Sequence, residues 1–180
     1  MTADPETLQV YDARAQDYAQ SFAKDHTTDP SLQGFVAALP GGLDNSKRVL
    51  DLGCGPGSWS RALLAAGLQV DAVDASAAMV AEAGQIPGLN VWQASFDDID
   101  MVARYHGIWA NFSLLHATRE DMPRHLAALD RALVPSGALH IGLKEGRGAR
   151  RDALGRFYTY WTPPELTELL AGLGLRVSDL

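Results

Sequence analysis

Between Lys47 and Lys144 the chain alternates short apolar runs with segments of helical period, and nothing constrains its fold more. Lys47 to Leu52 is an apolar run leading into glycines, and Ser58 to Ala66 has helical spacing and stops at Gly67. Gln69 to Val73 is a second strand ending in Asp74, and Ser76 to Ala83 is a helix broken by Gly84 and Pro87-Gly88. Leu89 to Gln93, Tyr105 to Asn111 and Ala138 to Lys144 are three further strands. Leu126, Leu129 and Leu133 mark a helix that stops before Pro135-Ser136-Gly137. Leu166, Leu169, Leu170 and Leu173 mark another, opened by Thr162 as N-cap with prolines in the first turn. Leu175 to Val177 reads as the opening of a sixth strand. Strands alternating with helices of this length predict an α/β fold, a mostly parallel sheet with right-handed crossovers. Near-continuous apolar strands predict helices on both faces, a three-layer sandwich.

Ahead of this pattern, Leu8, Tyr11, Ala15, Tyr18 and Phe22 recur at intervals of 3, 4, 3 and 4, one face of a helix. Leu32, Phe35, Val36 and Leu39 mark a second short helix, closed by the Pro40-Gly41-Gly42 turn. A length of 180 residues predicts a single domain, with residues 1–40 as a helical cap or lid and 47–180 as the core. Fifteen Lys and Arg against 22 Asp and Glu leave a net charge of −7, which argues against nucleic acid or an anionic membrane as partner. The single cysteine, Cys54, excludes an internal disulfide, and no cluster has metal-ligand spacing, so no metal is expected. Neither a signal-like start nor an apolar run near ~18 residues is present, so a cytoplasmic monomer or homodimer is expected.

Chemistry concentrates where such sheets bind ligands, at the carboxyl ends of the strands. Val49-Leu50-Asp51-Leu52-Gly53-Cys54-Gly55-Pro56-Gly57 carries glycines that permit a tight turn and close backbone approach, then a helix start with free N–H groups. The spacing is G-x-G-x-G, not the G-x-G-x-x-G of dinucleotide sites. Asp51 precedes the first glycine and suits a cationic amine; Asp74, ending the second strand, can accept from ribose hydroxyls. A strand–turn–helix corner that needs glycine only to turn is the plain alternative.

With VDAVDASAAMVAEA, ANFSLLHA and ALVPSGALHIGLKEG, this motif makes the chain resemble the class I S-adenosylmethionine-dependent methyltransferases, from about Tyr11 to Leu175. The tail GRFYTYWTPPELTELLAGLGL resembles small bacterial members acting on small molecules. The resemblance implies a Rossmann-like sheet of seven strands in the order 3-2-1-4-5-7-6, the last antiparallel. Only Leu175 to Leu180 follow the final helix, so the last antiparallel strand is expected to be missing: either the sequence is truncated, or the sheet closes with fewer strands and the edge beside the fifth strand is unpaired.

The same resemblance implies S-adenosylmethionine as cofactor and S-adenosylhomocysteine as product. Gly53, Gly55 and Gly57 would line the methionine portion, Asp51 would reach its amino group directly or through water, and Asp74 would hold the ribose. Ala75 and Met79 would flank the adenine, with Ser95, Phe96 and Asp97 at its edge; Met79 has core packing as its plain reading. Asn111, Phe112 and Ser113 would pass beside the sulfonium. Tyr11, Arg14 and Tyr18 would belong to a lid helix, Arg14 pairing with the cofactor carboxylate, though the tyrosines also fit a packing stripe. The acceptor would be a small molecule. His116, just past the fourth strand, is the candidate general base, against a surface histidine. His140 reads as buried and structural. Glu145 and Arg147 face an acceptor or form a solvated turn, and the aromatic segment Arg156 to Trp161 is an acceptor wall or ordinary packing. A nicotinamide-dependent oxidoreductase and a non-catalytic S-adenosylmethionine-binding module are the competing readings; methylation of nucleic acid or protein is disfavoured by the charge.

Overall fold

The computed structural model describes residues 4–21, 24–42, 44 and 46–178. Its centre is β1 (Arg48–Leu52), paired in parallel with β2 (Gln69–Asp74) on one side and β4 (Tyr105–Asn111) on the other. Outside them lie β3 (Asn90–Gln93) and β5 (Leu133–Gly142), giving the order β3-β2-β1-β4-β5, all parallel. The helices α3 (Ser58–Ala65), α4 (Ala77–Ala83) and α5 (Met122–Ala132) make the crossovers. The chain reverses its direction of travel across the sheet between β1 and β4, where parallel sheets open a crevice.

Alternate side chains build the layers, because successive residues of a strand face opposite sides. Leu50 and Leu52 of β1 and Ile108 and Ala110 of β4 pack with Met122, Leu126 and Leu129 of α5. Val49 and Trp109, from the intervening positions, pack with Leu63 of α3 and with Leu32 and Phe35 of α2 (Pro30–Ala37). Asp29 starts α2 by accepting from the N–H groups of Ser31 and Leu32, with Pro30 in the first turn. At Gly107 an added Cβ would lie 2.5 Å from Phe35 Cζ, so glycine there lets α2 seat directly on β4. The first helix, α1 (Pro5–Ser21), follows the predicted stripe; Phe22 falls outside the described residues.

Three features depart from the sequence reading. Strand β5 begins at Leu133, immediately after α5, rather than at Ala138. Leu133 pairs with Tyr105 and Ala138 with Gly107, and the Pro135-Ser136-Gly137 stretch is absorbed as an irregularity within the strand, with Ser136 at φ +63°. Leu175 to Val177 does not form a sixth strand; Leu175 and Val177 pack instead against the apolar cluster around α5 and α6 (Pro163–Gly172). An antiparallel pair absent from that reading, β6 (Ala149–Arg151) with β7 (Phe157–Thr159), lies between β5 and α6. Thr162 and Glu165 form a reciprocal cap at the start of α6. No helix among the described residues is long and apolar enough to cross a membrane.

Candidate functional site

The glycine loop is held by backbone bonds before any side chain contributes. Gly53 and Cys54 both donate to the Val73 carbonyl, at 2.8 and 2.9 Å, which folds the end of β1 over the end of β2. Gly53 sits at φ +71°, and a Cβ there would lie 2.3 Å from Ser113 Cβ, so only glycine lets the ends of β1 and β4 approach this closely. Gly57, at φ +87°, caps α3 with no side chain of its own, and a Cβ there would lie 2.4 Å from Ile86 Cδ1. Gly57 therefore packs the loop against the end of α4 and is not on the cavity wall, whereas Gly53, Cys54, Gly55 and Pro56 are.

Asp74 faces this loop. Its carboxylate accepts from Gly55 N–H at 2.8 Å and from Ser76 N–H at 2.9 Å. Burial raises its pKa, opposed by those two donors. A carboxylate offers about four lone-pair sites, so about two remain for a ligand. Asp51 stands behind the wall, 2 % exposed, accepting from Ser60 Oγ at 2.6 Å. Burial lifts its carboxyl to about 7. Ser113 Oγ is also buried and makes no hydrogen bond among the described residues. A buried hydroxyl in that state asks for a ligand atom or water.

Further along the wall come Ala75, just after Asp74, and Met79 within α4, and Ser95, Phe96 and Asp97 line it too. The Ser95 hydroxyl is spent on Asp98 Oδ2 at 2.7 Å, so its side chain caps a 3₁₀ turn. The Asp97 carboxylate is paired with Arg124 at 2.5 Å. Asn111, whose Oδ1 accepts from His140 Nε2 at 3.2 Å, completes this half together with Phe112 and Ser113. His140 stacks on Trp109 at 3.7 Å between ring centroids, and burial lowers its pKa to about 4.

The other half lies under α1. Tyr11 donates to His116 Nε2 at 2.7 Å, and His116 Nδ1 lies 2.6 Å from the Phe157 carbonyl oxygen. A carbonyl only accepts, so Nδ1 carries the proton and Nε2 is the acceptor for the phenol. Burial holds the imidazole neutral, with its pKa lowered to about 4, and the charges of Arg156 and Lys144 push the same way. Burial raises the Tyr11 phenol, which keeps its proton. Tyr18 packs edge-on to Tyr11 at 5.4 Å and bonds to Arg156, which is anchored by Asp152. Arg14, exposed on the same helix, lines the cavity and has no ion-pair partner among the described residues.

Contacts from both halves hold α1 over this space. Asp12 Oδ1 accepts from Ser76 Oγ at 2.5 Å and from Ala78 N–H at 3.3 Å, at the start of α4. At the other end Phe157 N–H donates to Thr7 Oγ1 at 2.8 Å, and Arg151 grips Asp4 through two bonds of 2.9 and 2.8 Å. The cavity beneath α1 is about 1100 Å³. That exceeds the roughly 300–1000 Å³ of a typical single-ligand pocket and leaves room for two ligands.

Of the residues singled out from sequence, Gly53, Gly55, Asp74, Ala75, Met79, Ser95, Phe96, Asn111, Ser113, Tyr11, Arg14, Tyr18 and His116 all line this one cavity. Asp51 and Gly57 do not line it. Phe157 and Tyr158 of the aromatic segment are on its wall, whereas Tyr160 and Trp161 are not. Among the residues that sequence reasoning passed over are Lys144 and Arg151 on the wall, and Asp12, which anchors α1 without lining the cavity. Lys144 is the last residue of a predicted strand, the one signal that pointed to it.

Residues 49–137 match the family model described as "Methyltransferase domain". The malonyl-[acyl-carrier protein] O-methyltransferase of Erwinia billingiae is 26% identical over 88% of this chain and 59% of that protein. The trans-aconitate 2-methyltransferase of Rhodopseudomonas palustris is 31% identical over 68% of this chain and 47% of that protein. The chain thus spans about half the length of these curated relatives. Among solved structures, the Burkholderia thailandensis 1,6-didemethyltoxoflavin-N1-methyltransferase, with 1,6-didemethyltoxoflavin and S-adenosylhomocysteine bound, superposes with a TM-score of 0.70 at 25% identity, covering 99% of this chain and 82% of that one.

Proposed function

We propose, from the premise that the chain belongs to the class I S-adenosylmethionine-dependent methyltransferases, that it moves a methyl group from S-adenosylmethionine to a small organic acceptor and releases S-adenosylhomocysteine. The observation that carries the proposal is the single cavity running from the glycine loop and Asp74 to Tyr11 and His116. Its donor set fits the cofactor. Asp74 keeps lone pairs for two vicinal ribose hydroxyls, and among the described residues the Ser113 hydroxyl has no hydrogen-bond partner and Arg14 no ion-pair partner, which leaves both for the cofactor. Asp51, lacking a cationic partner, is held near neutrality by burial, and an ammonium reaching it directly or through water would favour its ionised form.

The cofactor, when bound, supplies an activated methyl on a sulfonium, so the demanding chemistry is its own. The protein aligns and excludes water. Ala75, Met79 and Phe96 would enclose the adenine. Asn111, fixed by His140, would set the wall beside the sulfonium. Tyr11 would present its hydroxyl to the acceptor side, with His116 holding it in place. Helix α1 acts as the lid in a single domain spanning residues 1–180. A cytoplasmic setting, as a monomer or homodimer, belongs to the same proposal.

Calorimetric titration tests it. S-adenosylhomocysteine should bind saturably and NADH should not; NADH binding without a response to S-adenosylhomocysteine would overturn the reading. Methyl transfer to mixed small acceptors, followed by mass, should then give a product one methyl heavier.

A further inference from the structure

We propose that the acceptor is a carboxylate, bound by Lys144 and methylated on its own oxygen, an inference that rests on the methyltransferase reading above. Two observations meet at the His116 end of the cavity. The first is an uncommitted cation. Lys144, at the end of β5, lines the wall with its Nζ 3.9 Å from the centre of the Tyr158 ring and has no acidic partner among the described residues. Two acids of this region are already paired, Asp4 with Arg151 at 2.8 Å and Asp152 with Arg156 at 2.5 Å. An ammonium ion seated over an aromatic face, with no carboxylate of its own, is a ready partner for an anionic ligand.

The second is that His116, the base at the same place, is not free among the described residues. Both nitrogens of His116 are engaged, one donating to the Phe157 carbonyl and the other accepting from Tyr11. Asp17 also lines the cavity, but it lies six residues along α1 from Tyr11, about 9 Å down the helix axis. An amine delivered as ammonium, or a phenol, must shed a proton before it attacks. A carboxylate need not. Its oxygen lone pair attacks the sulfonium methyl, the new O–CH₃ bond forms as the S–CH₃ bond breaks, and the electron pair of that bond goes to sulfur as a neutral thioether. No proton is moved. Lys144 alone would ask only for an anion, and the occupied imidazole alone only for an acceptor that needs no base. A carboxylate oxygen answers both.

The test uses the full chain with S-adenosylmethionine and a panel of acetate, succinate, fumarate, citrate and benzoate. The amides, amines and phenols of matching skeletons are run beside them. The expected product is a methyl ester, identified by mass and by its cleavage in mild base. Lys144→Ala should raise KM for the best carboxylate by about tenfold or more, the loss of one charge-assisted contact. It should change kcat little and leave the affinity for S-adenosylhomocysteine as in the parent, and Lys144→Arg should restore much of KM. Methylation of amines or phenols with none of the carboxylates would overturn the inference, as would an unchanged KM in Lys144→Ala. So would carboxylates that fail to bind the S-adenosylhomocysteine complex in calorimetry. Failure of the methyltransferase reading looks different, because S-adenosylhomocysteine itself would then not bind. The lysine is exposed, so its replacement leaves the core intact.

Discussion

Replacing Asp74 by alanine removes the one carboxylate that the proposal gives to the ribose. Two of its lone-pair sites are already occupied by Gly55 and Ser76, at 2.8 and 2.9 Å. The remaining pair matches two vicinal hydroxyls. A hydrogen bond to a charged group contributes about 1.5–3 kcal/mol, and water refilling the vacated site returns part of that, so the expected loss is about 2–4 kcal/mol. At about 1.4 kcal/mol per tenfold, cofactor affinity falls roughly 30- to 1000-fold. The alanine also frees two backbone N–H groups, so some of the loss comes from a looser loop. A cofactor analogue without the 2′ and 3′ hydroxyls separates the two effects, because the ribose part of the penalty vanishes with it. Titration calorimetry of parent and variant with both ligands completes the cycle. A variant that binds S-adenosylhomocysteine within threefold of the parent would refute the assignment, and so would an equal penalty with the analogue.

Three further outcomes are expected. His116 and His140 both have their pKa lowered to about 4 from an ordinary 6.5, so the unfolded chain takes up their protons first. Stability should therefore fall as pH drops from about 6.5 toward 4, and His140→Gln should flatten part of that fall in thermal melts. Gly57→Ala places a Cβ 2.4 Å from Ile86 Cδ1 at a φ of +87°, so it should destabilise the fold by about 1–3 kcal/mol, read as a lower midpoint in urea. Asp12→Ala removes the contacts to Ser76 and Ala78, and should speed S-adenosylhomocysteine dissociation several-fold in stopped flow while leaving the melting temperature nearly unchanged.

The sheet was legible because its information is local. Apolar runs, glycine breaks and caps such as Thr162 with Glu165 act within a few residues, and the strand order β3-β2-β1-β4-β5 followed from the resemblance they carried. The glycine loop and Asp74 were legible for the same reason. What escaped was contact between distant segments. Nothing near Asp12 in the chain points to Ser76, 64 residues away, and nothing near Tyr11 points to His116, 105 residues away. The β6–β7 pair was hidden because three-residue strands are too short to show a period. Leu175 and Val177 misled because apolar alternation fits a strand edge and a helix-packed tail equally well, and here they join the cluster around α5 and α6.

Helix α1 touches α4 through Asp12 and the β6–β7 pair through Thr7 and Asp4. On the proposed reading, one helix thus reaches from the donor side of the cavity to the acceptor side. If methyl transfer takes place there, a helix latched at both ends would give the spent donor and the methylated product a shared exit. Release by unlatching then becomes the natural slow step of the cycle, with the chemistry waiting behind a mechanical gate.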